Sequence, residues 1–208
     1  MSPRLLFTFF DINIRTEQNS IMRKFLKIIG ATAVSVISLI AVAFVLCNLR
    51  PVDLQNKADA LKTYCQEHGY NTDYAVLVDF GRLSLQKRLY VYDFNKNKVV
   101  MRSLSGHGSG GNSTIFRPDF SNAHGSHCSS LGHYKIGKPR HMYNRPAVPA
   151  IEVHGLDKTN SNALARGILI HPSAGPLSWG CVTLPVVRYH QLSEFLKTQR
   201  NMIMWVYK

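Results

Sequence analysis

The longest apolar stretch of the chain, residues 28–49, contains no charged side chain. About 20 apolar residues let a helix cross the hydrocarbon core of a bilayer, and buried helices of soluble proteins rarely run this far without a polar stripe. The pattern therefore predicts a transmembrane anchor. A cleaved signal peptide is the closest alternative, but its apolar part usually has about 7–15 residues before a small-x-small site. This run is longer and ends in Val-Leu-Cys-Asn-Leu, without such a site.

The charges beside this run predict its orientation. Segment 23–27 carries three basic residues before the run, whereas only Arg50 lies close behind it. Cytoplasmic flanks carry the excess of Lys and Arg. The N-terminal side is therefore predicted to be cytoplasmic, and residues 50–208 to face the periplasm and the cell wall.

Beyond the anchor, short apolar runs alternate with turns. Residues 53–69 predict a helix that Asp53 caps and Gly69 ends, and residues 186–199 predict a second, amphipathic helix. The remaining apolar runs predict strands, over residues 74–80, 88–94, 98–104, 133–137, 150–155, 165–171 and 202–208. A chain of strands with short flanking helices predicts a mainly β domain with mixed or antiparallel sheets rather than a βαβ repeat.

These patterns define the domain organisation. Met22, which begins a basic segment, is a more natural start than Met1, so residues 1–21 are interpreted as a mis-called extension. The predicted order is a cytoplasmic N-terminus over 1–27, the anchor over 28–49, a linker helix over 50–69 and a folded domain over 70–208.

Composition limits the partners of this domain. The chain is 45% hydrophobic, enough to bury a core, and its net charge is +13. The basic residues are scattered, and an exported domain meets no nucleic acid as a rule, so nucleic-acid binding is not expected. Attraction to anionic lipid or to an acidic wall polymer fits the charge better. A monomer is expected.

Cys181 and His171 are the strongest candidates for chemistry. His171 ends a predicted strand, and a turn rich in Pro and Gly lets the chain fold back so that Cys181 can face it. A thiolate nucleophile needs a base within hydrogen-bond reach, and the N–H groups of Gly180 and Cys181 could form an oxyanion hole. From spacing alone, a small buried Cys181 and a strand-end His171 remain the alternative.

The residues Ile-Leu-Ile-His, followed by Ser178-Trp179-Gly180-Cys181, resemble the signature of YkuD-type L,D-transpeptidases. Further blocks in the same order over residues 70–190 resemble the murein L,D-transpeptidase catalytic domain branch. The resemblance implies a β-sandwich or barrel fold, Cys181 as the nucleophile, His171 as the base, and no metal or cofactor. Ser178, Trp179 and Gly180 then form the signature loop.

The resemblance also implies the reaction. Cys181 would attack the carbonyl between the position-3 diamino acid of a peptidoglycan stem peptide and D-Ala, and an amine of another stem would resolve the thioester to a 3→3 cross-link. Water as the acceptor would instead make an L,D-carboxypeptidase or murein hydrolase, and a non-catalytic wall-binding module is an alternative of another class. Departures from the family pattern are Trp179, Pro172 and a loop of only nine residues before Cys181.

The long polar segment over residues 106–133 is predicted to cover or line the substrate groove. Its Ser130 and Gly132, together with His154, are the candidate groove residues, with simple packing as the alternative for His154. Its histidines and Cys128 could also ligate zinc in a peptidase, but neither HExxH nor a paired CxxC is present. Zinc is therefore not expected. A disulfide between Cys65 and Cys128 is left open.

Overall fold

A computed structural model describes the backbone of residues 3–49 and 54–208, and the side chains of residues 22–46 and 54–208. The chain divides between Arg50 and Pro51 into two compact units. Asp53, the predicted cap of the linker helix, lies outside the described residues.

The N-terminal unit is a single helix, α1 (Pro3–Leu49). Its segment Met22–Leu46 is long and apolar enough to cross a membrane, with a mean hydropathy of 2.5. The hydroxyls of Thr32 and Ser35 donate to backbone carbonyls one turn earlier, so these polar groups are satisfied within the helix. An apolar N-terminal helix is thereby confirmed. A signal sequence has the same properties, so the helix alone does not distinguish an anchor from a cleaved signal.

The second unit consists of strands with two short helices. The helices are α2 (Gln55–His68) and α3 (Val186–Lys197). The strands are β1 (Tyr74–Asp79), β2 (Leu89–Asp93), β3 (Lys98–Ser103), β4 (His107–Gly108), β5 (Gly132–His141), β6 (Pro149–Gly155), β7 (Leu169–Pro172), β8 (Leu177–Ser178), β9 (Val182–Leu184) and β10 (Ile203–Tyr207).

Eight of these strands form one mixed sheet in the order β3-β2-β1-β10-β5-β6-β7-β9. The pairs β1–β10 and β7–β9 are parallel, and the other neighbours are antiparallel. The sheet nearly closes on itself, because Gly106, just beyond the end of β3, bridges Thr183 of β9. The short parallel pair β4–β8 lies at this junction. The prediction of a mainly β domain with short helices is confirmed.

Both faces of the sheet are covered, which explains why β1 is a continuous apolar run rather than an alternating one. Ala75 and Leu77 of β1 pack with the buried side of α2. Val76 and Val78 point to the other face, into the larger core that α3 completes. Gly69 ends α2 at φ 70° as predicted, because glycine adopts this left-handed conformation without strain.

The differences from the predicted elements lie in the polar segments. The strand expected over 165–171 begins only at Leu169, because turns occupy the residues before it. The segment 173–185, expected as a loop, contains both β8 and β9. These strands are two and three residues long, too short for a periodic signal, and they form only because neighbouring strands offer them backbone partners.

Candidate functional site

The parallel pair β7–β9 brings Cys181 and His171 to the same face of the sheet. Ile170 lies opposite Val182, and His171 lies opposite Thr183. Cys181, one residue before Val182, therefore lies opposite Leu169 of β7. Leu169 and His171 are two residues apart, and side chains at that spacing share one face of a strand. The side chains of Cys181 and His171 therefore project from the same face. Both line the same groove.

A backbone hydrogen bond sets the tautomer of His171. Its Nδ1 lies 2.9 Å from the carbonyl oxygen of Pro172. A carbonyl only accepts, so Nδ1 carries the proton and Nε2 is left as the basic nitrogen. Burial lowers the pKa of His171, and the nearby charge of Arg145 adds to that effect. The imidazole is thus held neutral. Proline is compatible at position 172 because only its carbonyl is used.

The Cys181 thiol rests in a buried position with two polar neighbours. The N–H of Leu169 donates to Sγ over 3.4 Å, and Sγ lies 3.8 Å from the carbonyl oxygen of Gly167. Burial raises the pKa of the Cys181 thiol, whereas the Leu169 N–H and the charge of Arg166 lower it. Within the described part of the chain, no hydrogen bond joins Cys181 to His171, so the thiol faces Gly167 in this state.

Two serines hold the loop before Cys181. The Ser178 hydroxyl donates to the carbonyl of Cys181 over 2.7 Å, and the Ser129 hydroxyl donates to the carbonyl of Gly180 over 3.3 Å. Gly180 has φ 107°, and a Cβ there would lie 2.7 Å from the carbonyl oxygen of Cys128. Only glycine fits this position, which explains the residue that precedes the cysteine.

Trp179 stands at the rim of the same loop. Its side chain is 67% exposed, and its ring stacks on His127 with centroids 4.9 Å apart. Because the indole lines the groove, it offers an aromatic surface to whatever binds there.

The groove around Cys181 and His171 has a volume of about 660 Å³. Its walls are the turn between β5 and β6, the loop from Pro172 to Trp179 and the first turns of α3. The lining residues include Met142, Asn144, Arg145, Ala147, Val148, Pro149, Ser173, Leu177, Val186 and His190. No carboxylate occurs among the described lining residues. Arg145 and His190 were missed in the sequence because nothing local links them to Cys181.

A family model described as the L,D-transpeptidase catalytic domain matches residues 48–206. The chain belongs to this family. No curated protein matches it in sequence. The match covers the sheet except for its last residue, Tyr207, and it includes Cys181 and His171, so the family resemblance seen in the sequence is confirmed.

Solved structures of L,D-transpeptidases are among the similar folds. The L,D-transpeptidase from Xylanimonas cellulosilytica is 13% identical with a TM-score of 0.42, and the match covers 70% of this chain and 68% of that one. Bd1075 from Bdellovibrio bacteriovorus is 15% identical with a TM-score of 0.44, covering 67% and 49%. The Mycobacterium smegmatis L,D-transpeptidase is 11% identical with a TM-score of 0.41, covering 65% and 59%. The chain thus spans from about half to about two thirds of the length of these proteins.

The structure places the predicted groove residues His154, Ser130 and Gly132 elsewhere in this L,D-transpeptidase domain, and none lines the groove around Cys181. His154 lies 3.8 Å from the Glu152 carboxylate. The Ser130 hydroxyl donates to a loop carbonyl. Gly132 has φ 123°, with Asp157 directly beside it. Each of the three thus has a neighbour within the fold, and their role in substrate binding stays a prediction.

Of the segment 106–133, Ser109 is the one residue among the described lining residues of the groove, and the role of the segment in covering or lining the groove stays a prediction. Its histidines point to different partners: His127 stacks on Trp179, whereas His133 bonds to Asp157. In the part of the chain that is described, no three His, Cys, Asp or Glu side chains converge on one point. Cys65 and Cys128 are both free thiols, so the disulfide left open between them is absent.

Proposed function

We propose that the protein is a peptidoglycan L,D-transpeptidase in which Cys181 is the nucleophile and His171 is the general base and acid. One observation carries the proposal. The two side chains share one face of the parallel pair β7–β9 within a single groove, and the hydrogen bond to Pro172 leaves Nε2 of His171 free to accept a proton. Membership of the L,D-transpeptidase family supports the reaction class.

The first half of the reaction forms a thioester. The Cys181 thiol turns about its Cα–Cβ bond from Gly167 toward His171, and Nε2 takes its proton. Sγ then attacks the carbonyl carbon of the position-3 diamino acid. The N–H groups of Gly180 and Cys181 stabilise the oxyanion, with their loop held by the serine hydrogen bonds to the two carbonyls. His171 gives the proton to the nitrogen of D-Ala, which leaves.

The second half resolves the thioester. The side-chain amine of another stem peptide attacks the thioester carbon, His171 takes a proton from that amine, and the thiolate leaves and is reprotonated. The product is a 3→3 cross-link. Water in place of the amine would make the enzyme an L,D-carboxypeptidase with the same two residues. The proposed reaction needs no redox partner or nucleotide.

The test uses purified full-length protein in detergent with tetrapeptide muropeptides, followed by mass analysis of the products. Cys181→Ala and His171→Ala should abolish dimer formation, because one removes the nucleophile and the other the proton acceptor. Cys65→Ser and Cys128→Ser are matched controls that should keep activity. Dimers with Cys181→Ala would refute the proposal, and tripeptide without dimers would assign hydrolysis instead.

We also propose that the apolar run over residues 28–49 anchors the enzyme in the cytoplasmic membrane as a single span, with the catalytic domain in the periplasm. The length and hydropathy of Met22–Leu46 support it, as do the three basic residues of segment 23–27, just before the run. Protease added to spheroplasts should digest the catalytic domain, and a high-salt wash should leave the full-length protein in the membrane. A soluble form beginning near residue 48 would instead identify a cleaved signal.

A further inference from the structure

Arg166 lies directly behind the Cys181 loop. It precedes Gly167, whose carbonyl faces the Cys181 sulfur. A Cβ on Gly180 would lie 3.1 Å from Nη2 of Arg166. The guanidinium is therefore packed against the residue that precedes the nucleophile, and it is not among the residues that line the groove.

The guanidinium binds four oxygen atoms of a second loop, residues 121–130. Nη1 donates to the Ser121 carbonyl over 2.9 Å and to the Ser130 hydroxyl over 2.7 Å. Nη2 donates to the Ser126 hydroxyl over 3.2 Å and to the Cys128 carbonyl over 2.6 Å. The planar fork of Arg suits this arrangement, which a Lys could satisfy only in part. Arg166 thereby fixes the loop that supplies Ser129 to the Gly180 carbonyl.

All four acceptors are neutral. The five ion pairs that the described residues form do not include Arg166. A half-buried cation without a paired carboxylate stabilises a nearby anion. The attraction is stronger than at the surface because water screens the two charges less. The anion that forms beside it during the reaction is the Cys181 thiolate.

We propose that Arg166 is a positioning residue for the nucleophile: it holds loop 121–130 against the Cys181 loop and supplies the positive charge that favours the thiolate. The proposal rests on the proposed function, in which Cys181 is the nucleophile. Burial raises the pKa of the Cys181 thiol, and Arg166 acts against that effect. His171 can then remove the proton with less cost.

The test measures ionisation of Cys181 directly. Iodoacetamide labelling of the Cys181 peptide is followed by mass spectrometry across a pH series, in the full-length protein in detergent. Arg166→Gln should shift the labelling profile to higher pH and slow labelling at neutral pH several-fold, because the positive charge that favours the thiolate is lost. Arg166→Lys should restore most of the profile while lowering the melting temperature, because it keeps the charge and loses the fork.

A matched control is Arg140→Gln, which removes the same charge from the half-buried pair with Glu152 and should leave the profile unchanged. A folded Arg166→Gln protein with the wild-type profile would overturn the proposal. If Arg166→Gln does not fold, Ser126→Asp decides the question, since it neutralises Arg166 in place. It should shift the profile to higher pH, whereas Ser126→Asn should not, and equal profiles for the two would refute the charge effect.

This measurement does not depend on stem peptides. If Cys181→Ala still forms cross-links, the proposed function is refuted, and Arg166 then has no role in catalysis. If Cys181→Ala is inactive but Arg166→Gln has the wild-type labelling profile, only the Arg166 proposal is refuted.

Discussion

Gly180→Ala should both destabilise the catalytic domain and stop turnover. At φ 107° a non-glycine residue is strained by about 1–3 kcal/mol. The new Cβ would also lie 2.7 Å from the Cys128 carbonyl oxygen and 2.8 Å from Ile168. Ile168 can rotate, but Cys128 is held by Arg166, so overpacking adds about 1–2 kcal/mol. The free energy of unfolding should fall by about 2–5 kcal/mol.

Thermal unfolding of the full-length protein in detergent measures this change. About 2–4 °C per kcal/mol is usual for a domain of this size, so the melting temperature should fall by about 5–15 °C. Turnover should drop about tenfold or more in the protein that remains folded at 25 °C, because displacing the Cys128 carbonyl also displaces the nucleophile.

Substitutions at two other glycines separate the backbone strain from the steric clash. Gly167 has a left-handed backbone, with φ 67°, but a Cβ there would have no neighbour within 4 Å. Gly167→Ala should therefore lower the free energy of unfolding by only about 1–2 kcal/mol. Gly175→Ala has neither the left-handed backbone nor a close neighbour and should change stability by less than about 0.5 kcal/mol. If Gly180→Ala unfolds at the same temperature as Gly175→Ala and keeps its turnover, the packing argument is wrong.

The remaining predictions concern pH, metal and the groove. Buried His107 accepts from Arg88 and donates to the Thr114 carbonyl. Burial lowers the pKa of His107 below the ordinary 6.5, so its contribution to stability is complete above pH 6.5 and is lost as pH falls below that value. In His107→Gln the free energy of unfolding should therefore change less between pH 7 and pH 5 than in the wild type. Activity should survive chelators and be lost on alkylation of Cys181, whereas inhibition by a chelator that zinc reverses would contradict the thiol mechanism. Trp179→Ala should raise KM several-fold with an almost unchanged melting temperature, since the indole is exposed and lines the groove; an unchanged KM would exclude substrate contact.

Local patterns in the sequence determined much of this protein. The uncharged run after residue 27 and the Gly69 helix stop depend on residues close together in the chain, and the structure has both. The pair Cys181 and His171 could be singled out for the same reason, since ten positions separate them and a short loop joins their strands.

The neighbours of that pair depend on contacts that no local pattern contains. Arg166 acts through loop 121–130, about 40 residues away, and His190 enters the groove only because α3 packs beside β7 and β9. The composition of the polar segment 106–133 suggested a groove cover. In the structure only Ser109 of this segment is among the described lining residues, and Arg166 holds residues 121–130 beside the Cys181 loop. Sequence spacing singled out Cys181 and His171 because one short turn joins their strands. The charge and shape around them follow from the closure of the sheet, which joins residues far apart in the chain.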